Sequence, residues 1–203
     1  MNKEELKKII ENLSIKRPLF HSEADFQHEL ALLLSRERGQ VDLRLERPYL
    51  ENELKFFLDI LFNTGNEKIG IELKYVTKAF QQNYNGEMFN LKTHGNYGAS
   101  RFNFLKDVYR LGQLKERKEI SKGFAIILTN VKDFYSTKNK DNRYKHLYLY
   151  EDRKIKKGDV IKFVENTTPK KFQSFMLENV DGYHLQWKSY GKYTDFKYLI
   201  LEV

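Results

Sequence analysis

Two apolar runs joined by a short polar turn constrain the fold of this chain more than any other feature. Residues 56–62 form an apolar run of strand length, residues 63–68 supply turn-forming side chains, and residues 69–75 have the pattern of a second strand. Together they predict a β-hairpin. Asp59 interrupts the first apolar run, and an ionised carboxylate in such a strand is costly unless it is paired or bound to a metal ion.

The register of this hairpin brings charged side chains together. If Phe62 and Ile69 close the turn, Asp59 lies directly opposite Glu72. Because side chains alternate between the two faces of a strand, Lys74 shares the face of these acids. The hairpin therefore predicts that three charged groups converge on one face of the sheet.

The convergence of two acids predicts a metal site. Directly opposed residues have Cβ atoms about 4.5–5.5 Å apart, and two like charges repel at that distance. Lys74 compensates only one of them. A hard divalent cation binds carboxylate oxygens, backbone carbonyls and water, and would use both acids. We therefore expect Mg²⁺, with Mn²⁺ as its substitute, at Asp59 and Glu72.

A third acid is expected from a helix over residues 22–36. Taking Leu30 as the centre of the apolar arc, Glu23 lies about 20° away, whereas Glu29 lies about 100° away at the edge of the arc. Glu23 is therefore the inward-facing acid. We expect it to belong to the metal shell or to orient the attacking water, with Glu29 as the alternative.

The remaining patterns predict a single domain of the α/β class. The expected elements are helices over 2–13 and 22–36, a strand over 41–47 that Pro48 ends, the hairpin over 56–75, a helix over 101–118, a strand over 123–129 and a terminal hairpin over 183–190 and 196–203. Residues 76–100 are rich in Gln, Asn and Gly and are interpreted as a long loop that serves as a lid. Residues 138–143 are predicted to be a disordered tip.

The composition excludes several classes of function. The chain has no cysteine, which removes disulfide scaffolds, thiolate zinc sites, Fe–S clusters and cysteine nucleophiles. The sequence contains no His-Glu-x-x-His spacing and no glycine-rich phosphate-binding motif, so no nucleotide cofactor is expected. Neither a signal peptide nor an apolar segment of the roughly 20 residues that a membrane span needs is visible. We expect a soluble, cytoplasmic protein that does not bind membranes.

The net charge of +8 lies entirely in the second half of the chain, residues 101–203. A basic half attracts polyanions through phosphate neutralisation and counterion release, so nucleic acid is the expected partner. The alternative is an ordinary solubilising surface, since Lys-rich surfaces are common. The basic residues predicted to contact phosphates are Arg101, Lys106, Arg110, Arg153, Lys154, Lys156 and Lys157, together with the pair Lys170-Lys171.

A helix acid, a strand acid and a Glu-x-Lys tripeptide on the hairpin partner form a set, here Glu23, Asp59 and Glu72-Leu73-Lys74. This set resembles the PD-(D/E)XK nuclease superfamily, which has the restriction-endonuclease-like fold. The tripeptide alone is uninformative, because Glu-Leu-Lys also occurs at residues 5–7. Its context, opposite an acid in an apolar strand, carries the resemblance. The similarity covers about residues 20–130 and points to an uncharacterised bacterial branch.

The resemblance implies a mixed central β-sheet flanked by α-helices, with a core over about 20–130 and a basic, aromatic elaboration over about 131–203. It implies that Asp59, Glu72 and the carbonyl of Leu73 hold Mg²⁺. Lys74 would position or polarise the attacking water, and Glu23 would support the site. The implied activity is hydrolysis of phosphodiester bonds in nucleic acid, with DNA and an endonuclease favoured.

Two other functions remain open on the sequence. The same fold with an impaired site would be a module that binds nucleic acid without chemistry. A protein-interaction domain would use the hairpin acids only structurally. A homodimer is also open to this chain, since isologous dimers are common among enzymes that cut both strands.

Overall fold

The computed structural model describes residues 1–39, 42–51, 54–65, 67–136, 145–162, 174–178, 182–193 and 195–203. Within these ranges the helices are α1 (Lys3–Lys16), α2 (Glu23–Arg38), α3 (Tyr97–Glu116) and α4 (Lys132–Tyr135). The strands are β1 (Asp42–Glu51), β2 (Leu54–Thr64), β3 (Glu67–Val76), β4 (Phe80–Tyr84), β5 (Glu87–Leu91), β6 (Lys122–Thr129), β7 (Lys154–Ile155), β8 (Val160–Ile161), β9 (Phe175–Met176), β10 (Tyr183–His184), β11 (Lys188–Ser189) and β12 (Lys197–Glu202). The predicted tip at 138–143 and the Lys170-Lys171 pair lie outside the described residues.

A mixed six-stranded sheet forms the centre of the described structure, with the strand order β1-β2-β3-β6-β12-β11. Strands β3 and β6 run parallel, and the other neighbouring strands run antiparallel. Helices α1 and α2 pack on one face and α3 packs on the other. The predicted α/β class, with a mixed central sheet flanked by helices, is confirmed.

The first two helices begin where their capping residues predict. The Asn2 side chain accepts a hydrogen bond from the Glu5 amide, and the Glu5 carboxylate accepts one from the Asn2 amide, which is a complete capping box. The Ser22 hydroxyl accepts from the Asp25 amide and starts α2. In the part of the chain that the structure describes, no helix combines the length and the apolar character needed to cross a bilayer.

Two paired glycines let α3 lie close to the sheet. Gly70 of β3 lies beside Gly123 of β6 in the parallel register. A Cβ atom added at Gly123 would lie 2.9 Å from the Cβ of Leu111 in α3, which is too close for two carbon atoms. The missing side chains therefore provide the space that Leu111 fills, and they set the distance between helix and sheet.

The strand prediction that ended at Pro48 is wrong. Strand β1 continues through Pro48, which lies opposite Phe57 of β2, and it ends at Glu51. Because β1 is the edge strand of the sheet and pairs only with β2, the missing amide hydrogen of a proline is tolerated there.

The interpretation of residues 76–100 as one long loop is also wrong. Residues 80–91 form the β4–β5 hairpin, and α3 begins at Tyr97. The turn is the dipeptide Asn85-Gly86, with φ angles of 52° and 83°. An Asn-Gly pair between two strands is a strong hairpin signal, because both positions require positive φ. The polar composition of the strands concealed it.

The C-terminal residues contribute directly to the central sheet. Strand β12 pairs with β6, and β11 pairs with β12, so the predicted terminal hairpin is present in shortened form. Leu185 and Trp187 are buried, whereas His184 and Lys188 are exposed, as the alternating pattern predicts. Tyr183 and His184 pair with β7 instead, in a separate two-stranded sheet.

Candidate active site

The predicted register of the central hairpin is confirmed, and its regular pairing stops at the candidate site. Phe62 lies opposite Ile69, and the paired ladder ends at Ile60 and Ile71. One residue further, Oδ2 of Asp59 accepts a hydrogen bond of 2.6 Å from the Leu73 amide. The strand acid thus replaces the backbone partner that β2 would have supplied.

The amide of Tyr75, two residues after Leu73, also donates to a carboxylate. Amides alternate in direction along a strand, so the amide of Tyr75 points to the same side as that of Leu73. It donates a hydrogen bond of 2.7 Å to Oε2 of Glu23, the first residue of α2. The structure therefore brings Glu23 to the site. Glu29 lies near Tyr190 instead: burial raises the pKa of Tyr190, and the charge of Glu29 adds to that increase.

The strand β1 is distorted beside the same position. The β1–β2 register pairs Leu45 with Ile60 and Arg47 with Leu58, and it skips Glu46 and Asp59 between them. Glu46 has a φ angle of 52°, a left-handed conformation that is uncommon for glutamate. The Gln27 side chain of α2 donates 2.7 Å hydrogen bonds to the Asp59 carbonyl and to Oε1 of Glu46. Gln27, which the sequence analysis did not identify, fixes α2 against the two strands here.

Glu72 is the most deeply buried acid of the hairpin, with 3% of its surface exposed. Burial, followed by the charges of Asp107 and Asp59, raises its pKa well above the usual range. Within the described residues, Oε1 of Glu72 is buried and meets no hydrogen-bond donor. A buried acceptor without a donor is costly, so this atom is a candidate ligand for a cation.

The predicted neighbour Asp59 shares this environment. Burial raises the pKa of Asp59 to about 6, and the nearby charge of Lys74 and the hydrogen bond from Leu73 only partly oppose that shift. The carboxyl groups of Asp59 and Glu72 lie within hydrogen-bonding reach of each other. Two acids at this distance ionise together only if positive charge is added between them.

Lys74 is held among the acids. Its Nζ donates a 2.8 Å hydrogen bond to the Leu73 carbonyl, and it lies 2.9 Å from Oδ2 of Asp107 and 3.9 Å from Oε1 of Glu23. Burial alone lowers the pKa of this ammonium, but the charges of Asp107, Glu23 and the two hairpin acids outweigh it and raise the pKa above the usual range. Lys74 is therefore a permanent cation at the site.

Asp107 was missed by the sequence analysis. It is 3% exposed and lies on α3, where it contributes a further acid to the cluster. A signal was present, because Asp107 follows Phe104 by three positions and precedes Leu111 by four, and both apolar residues are buried. Residues at these spacings share one helix face, so an acid there points toward the core.

The acid cluster fits a hard divalent cation with a partly hydrated shell. Across the described residues, no three His, Cys, Asp or Glu side chains are grouped so as to hold a metal ion among themselves. Asp59 and Glu72 form a pair, and Leu73 directly follows Glu72 in β3. Two carboxylates, one carbonyl and water are the donor set that Mg²⁺ accepts, and Oε1 of Glu72 is a buried acceptor without a donor among the described residues.

The three residues of α3 that were predicted to contact phosphates are largely engaged within the protein. Arg101 is buried, forms an ion pair with Asp133, and its guanidinium lies 4.5 Å from the ring centre of Phe134. Lys106 is also buried. Arg110 lies 3.5 Å from Asp107 and 4.8 Å from the ring centre of Phe56, at the margin of the acid cluster.

The basic stretch around β7 divides into one buried and three exposed side chains. The guanidinium of Arg153 is buried and donates hydrogen bonds to the carbonyls of Tyr148 and His146, so it holds this segment of backbone together. The exposed side chains, which are free to face a polyanion, are Lys154, Lys156 and Lys157.

Comparisons with known proteins add no relative to this description. A scan of protein-family models finds no matching family, and searches of curated proteins and of solved structures find no significant match.

Proposed function

We propose that this protein is a Mg²⁺-dependent nuclease, built on a restriction-endonuclease-like version of the mixed sheet described above. The observation that carries this proposal is the position of Glu72, whose buried Oε1 lacks a donor among the described residues while Asp59 lies beside it. Uncompensated buried carboxylates are costly in a protein interior. A bound cation would offset that cost, because its positive charge compensates the buried carboxylates.

Asp59, Glu72 and the Leu73 carbonyl are the groups that would hold the metal ion. The Leu73 carbonyl accepts a hydrogen bond from Lys74, and a carbonyl oxygen has a second lone pair that a cation could use. Lys74 is also held by its ion pair with Asp107. When bound, Mg²⁺ would lower the pKa of a coordinated water molecule and stabilise negative charge on the phosphoryl group.

Lys74 would act as a fixed positive charge. Because its pKa is raised, the ammonium stays protonated and cannot accept a proton from water. It can donate a hydrogen bond to a water molecule or to a phosphate oxygen that gains negative charge in the transition state. Glu23, with 44% of its side chain exposed, is the carboxylate beside Lys74 that would orient the water from the solvent side.

Nucleic acid is the substrate that the charge distribution supports. The excess positive charge lies in residues 101–203, and Lys154, Lys156 and Lys157 are exposed in that half. Phosphate neutralisation by such residues supplies sequence-independent affinity for a polyanion. We favour DNA, endonucleolytic cleavage and a cytoplasmic location.

Metal binding is the first test. Calorimetric titration of the metal-free protein with Mn²⁺ and Mg²⁺ should show saturable binding that is lost in Asp59→Asn and in Glu72→Gln. Asp152→Asn is the matched control, because Asp152 is an exposed acid paired with His184. Equal binding by all three variants and the wild type would place the cation elsewhere and overturn the assignment.

Cleavage is the second test. Plasmid DNA, single-stranded DNA and RNA are incubated with Mg²⁺ and the wild-type protein, and with Glu72→Gln and Lys74→Met. We expect cleavage of at least one substrate by the wild type and a loss of at least about 100-fold in each variant, as removal of a charge-stabilising group commonly costs. Metal binding without cleavage of any of the three substrates would favour a nucleic-acid-binding module.

A further inference from the structure

A cavity of about 280 Å³ opens beside the acid cluster. It lies between the start of α2, the end of β3 and the end of the β4–β5 hairpin. Its polar lining includes His21, Glu23, Thr77, Asn90, Lys92 and His94. We call it the His94 pocket. Glu23 belongs to both the pocket and the acid cluster, because its carboxylate holds the Tyr75 amide and lies 3.9 Å from Lys74.

The amide, hydroxyl and carbonyl of Thr77 all lie within 3.3 Å of Nδ1 of His94. The Thr77 amide donates a 3.0 Å hydrogen bond to Nδ1 of His94, so Nδ1 carries no proton in that arrangement. In the neutral imidazole the proton then lies on Nε2, which becomes a hydrogen-bond donor. Thr77 is itself 2% exposed, and its backbone carbonyl accepts from the His94 amide at 2.8 Å. The orientation of the His94 ring is therefore set by buried backbone.

Thr77 also holds the backbone of Lys92, the lysine of the pocket. Its hydroxyl donates a 2.7 Å hydrogen bond to the carbonyl of Lys92, which holds that residue at the end of β5. The opposite wall is the His21 ring, which stacks on Phe89 at 4.4 Å between ring centres and contacts Glu87 at 2.7 Å. The pocket thus combines a flat aromatic wall with an ammonium and an imidazole N–H.

This combination fits one nucleotide unit. The volume of about 280 Å³ is near the lower end of the roughly 300–1,000 Å³ found for small-molecule sites, so it admits one nucleotide and excludes a duplex. Lys92 and the Nε2 of His94 are donors suited to a phosphate. The amide of Asn90 is suited to a base or sugar edge.

We propose that the His94 pocket binds the nucleotide adjacent to the cleaved phosphodiester, with Lys92 and His94 on its phosphate. This inference rests on the proposed nuclease function. It assigns a substrate-binding role to the end of the β4–β5 hairpin, with Thr77, which directly follows β3, as the positioning residue. The cleavage site would then require a locally unpaired strand, because only a single nucleotide enters the pocket.

The test uses a probe that needs no metal ion. Deoxythymidine 3′,5′-bisphosphate is titrated into the full-length protein in the presence of EDTA, with binding followed by calorimetry. We expect saturable binding that weakens at least fivefold in Lys92→Ala and in His94→Asn. His94→Gln, whose amide nitrogen can take the place of Nε2, should retain most of the affinity. The control Lys8→Ala removes the same charge from an exposed position of α1.

The possible results separate this inference from the nuclease proposal. No saturable binding by the wild type, or equal weakening by Lys8→Ala, would overturn the His94 pocket as a nucleotide site. A parallel Mn²⁺ titration of Lys92→Ala should match the wild type, because Lys92 is not a metal ligand. If metal binding fails while the bisphosphate still binds, the acid cluster assignment falls and the pocket stands.

Discussion

The Nζ atom of Lys74 lies 2.9 Å from Oδ2 of Asp107, closer than its 3.9 Å distance to Glu23. A residue of the central hairpin and a residue of α3 therefore form the main ion pair of the candidate site. The pair ties the helix to the interior strand β3, near the point where β2 and β3 stop pairing.

Asp107→Asn should destabilise the metal-free protein by about 1–3 kcal/mol. Breaking a buried ion pair usually costs about 3–5 kcal/mol, but here the change also relieves repulsion with Glu72. Urea unfolding measures the difference. The control Asp152→Asn, which disrupts only a surface pair, should change stability by less than about 1 kcal/mol. A more stable Asp107→Asn protein would mean that acid repulsion outweighs the ion pair.

The stability of the metal-free protein should fall as the pH rises from about 4.5 to about 7. Burial raises the pKa of Asp59 from 3.8 to about 6, and the pKa of Glu72 moves in the same direction. The folded state then binds more protons than the unfolded state across this range, so raising the pH favours unfolding. The whole Asp59 shift corresponds to about 3 kcal/mol, at about 1.4 kcal/mol for each pKa unit, and about 2 kcal/mol of it falls between pH 4.5 and 6.

Denaturant unfolding across this pH range in EDTA measures the effect. Asp59→Asn should flatten the dependence, and excess Mg²⁺ should remove most of it for the wild type. Glu67 acts with the opposite sign, because the hydrogen bond from Lys122 lowers its pKa to about 2. Its contribution is lost only as the pH falls from 4.5 toward 2, outside the measured window. A wild-type stability that rises with pH would contradict the burial of the two acids.

Gly123→Ala should cost about 1–3 kcal/mol, because the new methyl group would lie 2.9 Å from the Cβ of Leu111 and force α3 away from the sheet. Thermal or urea unfolding checks this. Gly95→Ala is the matched control, since a Cβ at Gly95 meets open space, and its effect should stay within about 0.5 kcal/mol. Equal effects of the two substitutions would show that the close approach of α3 is unimportant.

Among the basic residues near β7, we expect the exposed lysines to affect DNA binding and the buried arginine to affect stability. Replacing the exposed Lys154, Lys156 and Lys157 with Ala should reduce the salt dependence of DNA binding, by a slope of about 0.9 in log K against log salt for each phosphate that is no longer neutralised. Stability should be unchanged. Arg153→Ala should instead lower stability by about 1–3 kcal/mol, because carbonyls that its guanidinium pairs are left without that donor. Fluorescence anisotropy at several salt concentrations measures DNA binding, and urea unfolding measures stability. An unchanged salt slope in the triple lysine variant would show that these lysines do not contact DNA.

Short-range signals in the sequence account for the local features of this protein. The turn between β2 and β3 set a register that places Asp59 and Glu72 at the same level, and the caps at Asn2 and Ser22 set where two helices begin. Such features depend on the spacing of apolar residues, on the residues that form turns and on helix capping, all of which act between residues close in the chain. The Asn85-Gly86 turn is of the same kind, and its signal was available but outweighed by the polar composition around it.

Which side chains join that hairpin depends on the packing of elements that are distant in the sequence. Asp107 enters the acid cluster because Gly70 and Gly123 allow α3 to approach, and no local pattern encodes a contact between a helix and two separate strands. Arg101 was predicted to contact phosphates, but it is buried, and its guanidinium in α3 forms an ion pair with Asp133 in α4. Burial and long-range pairing depend on how all elements pack together, so charge alone does not reveal which basic residues remain at the surface.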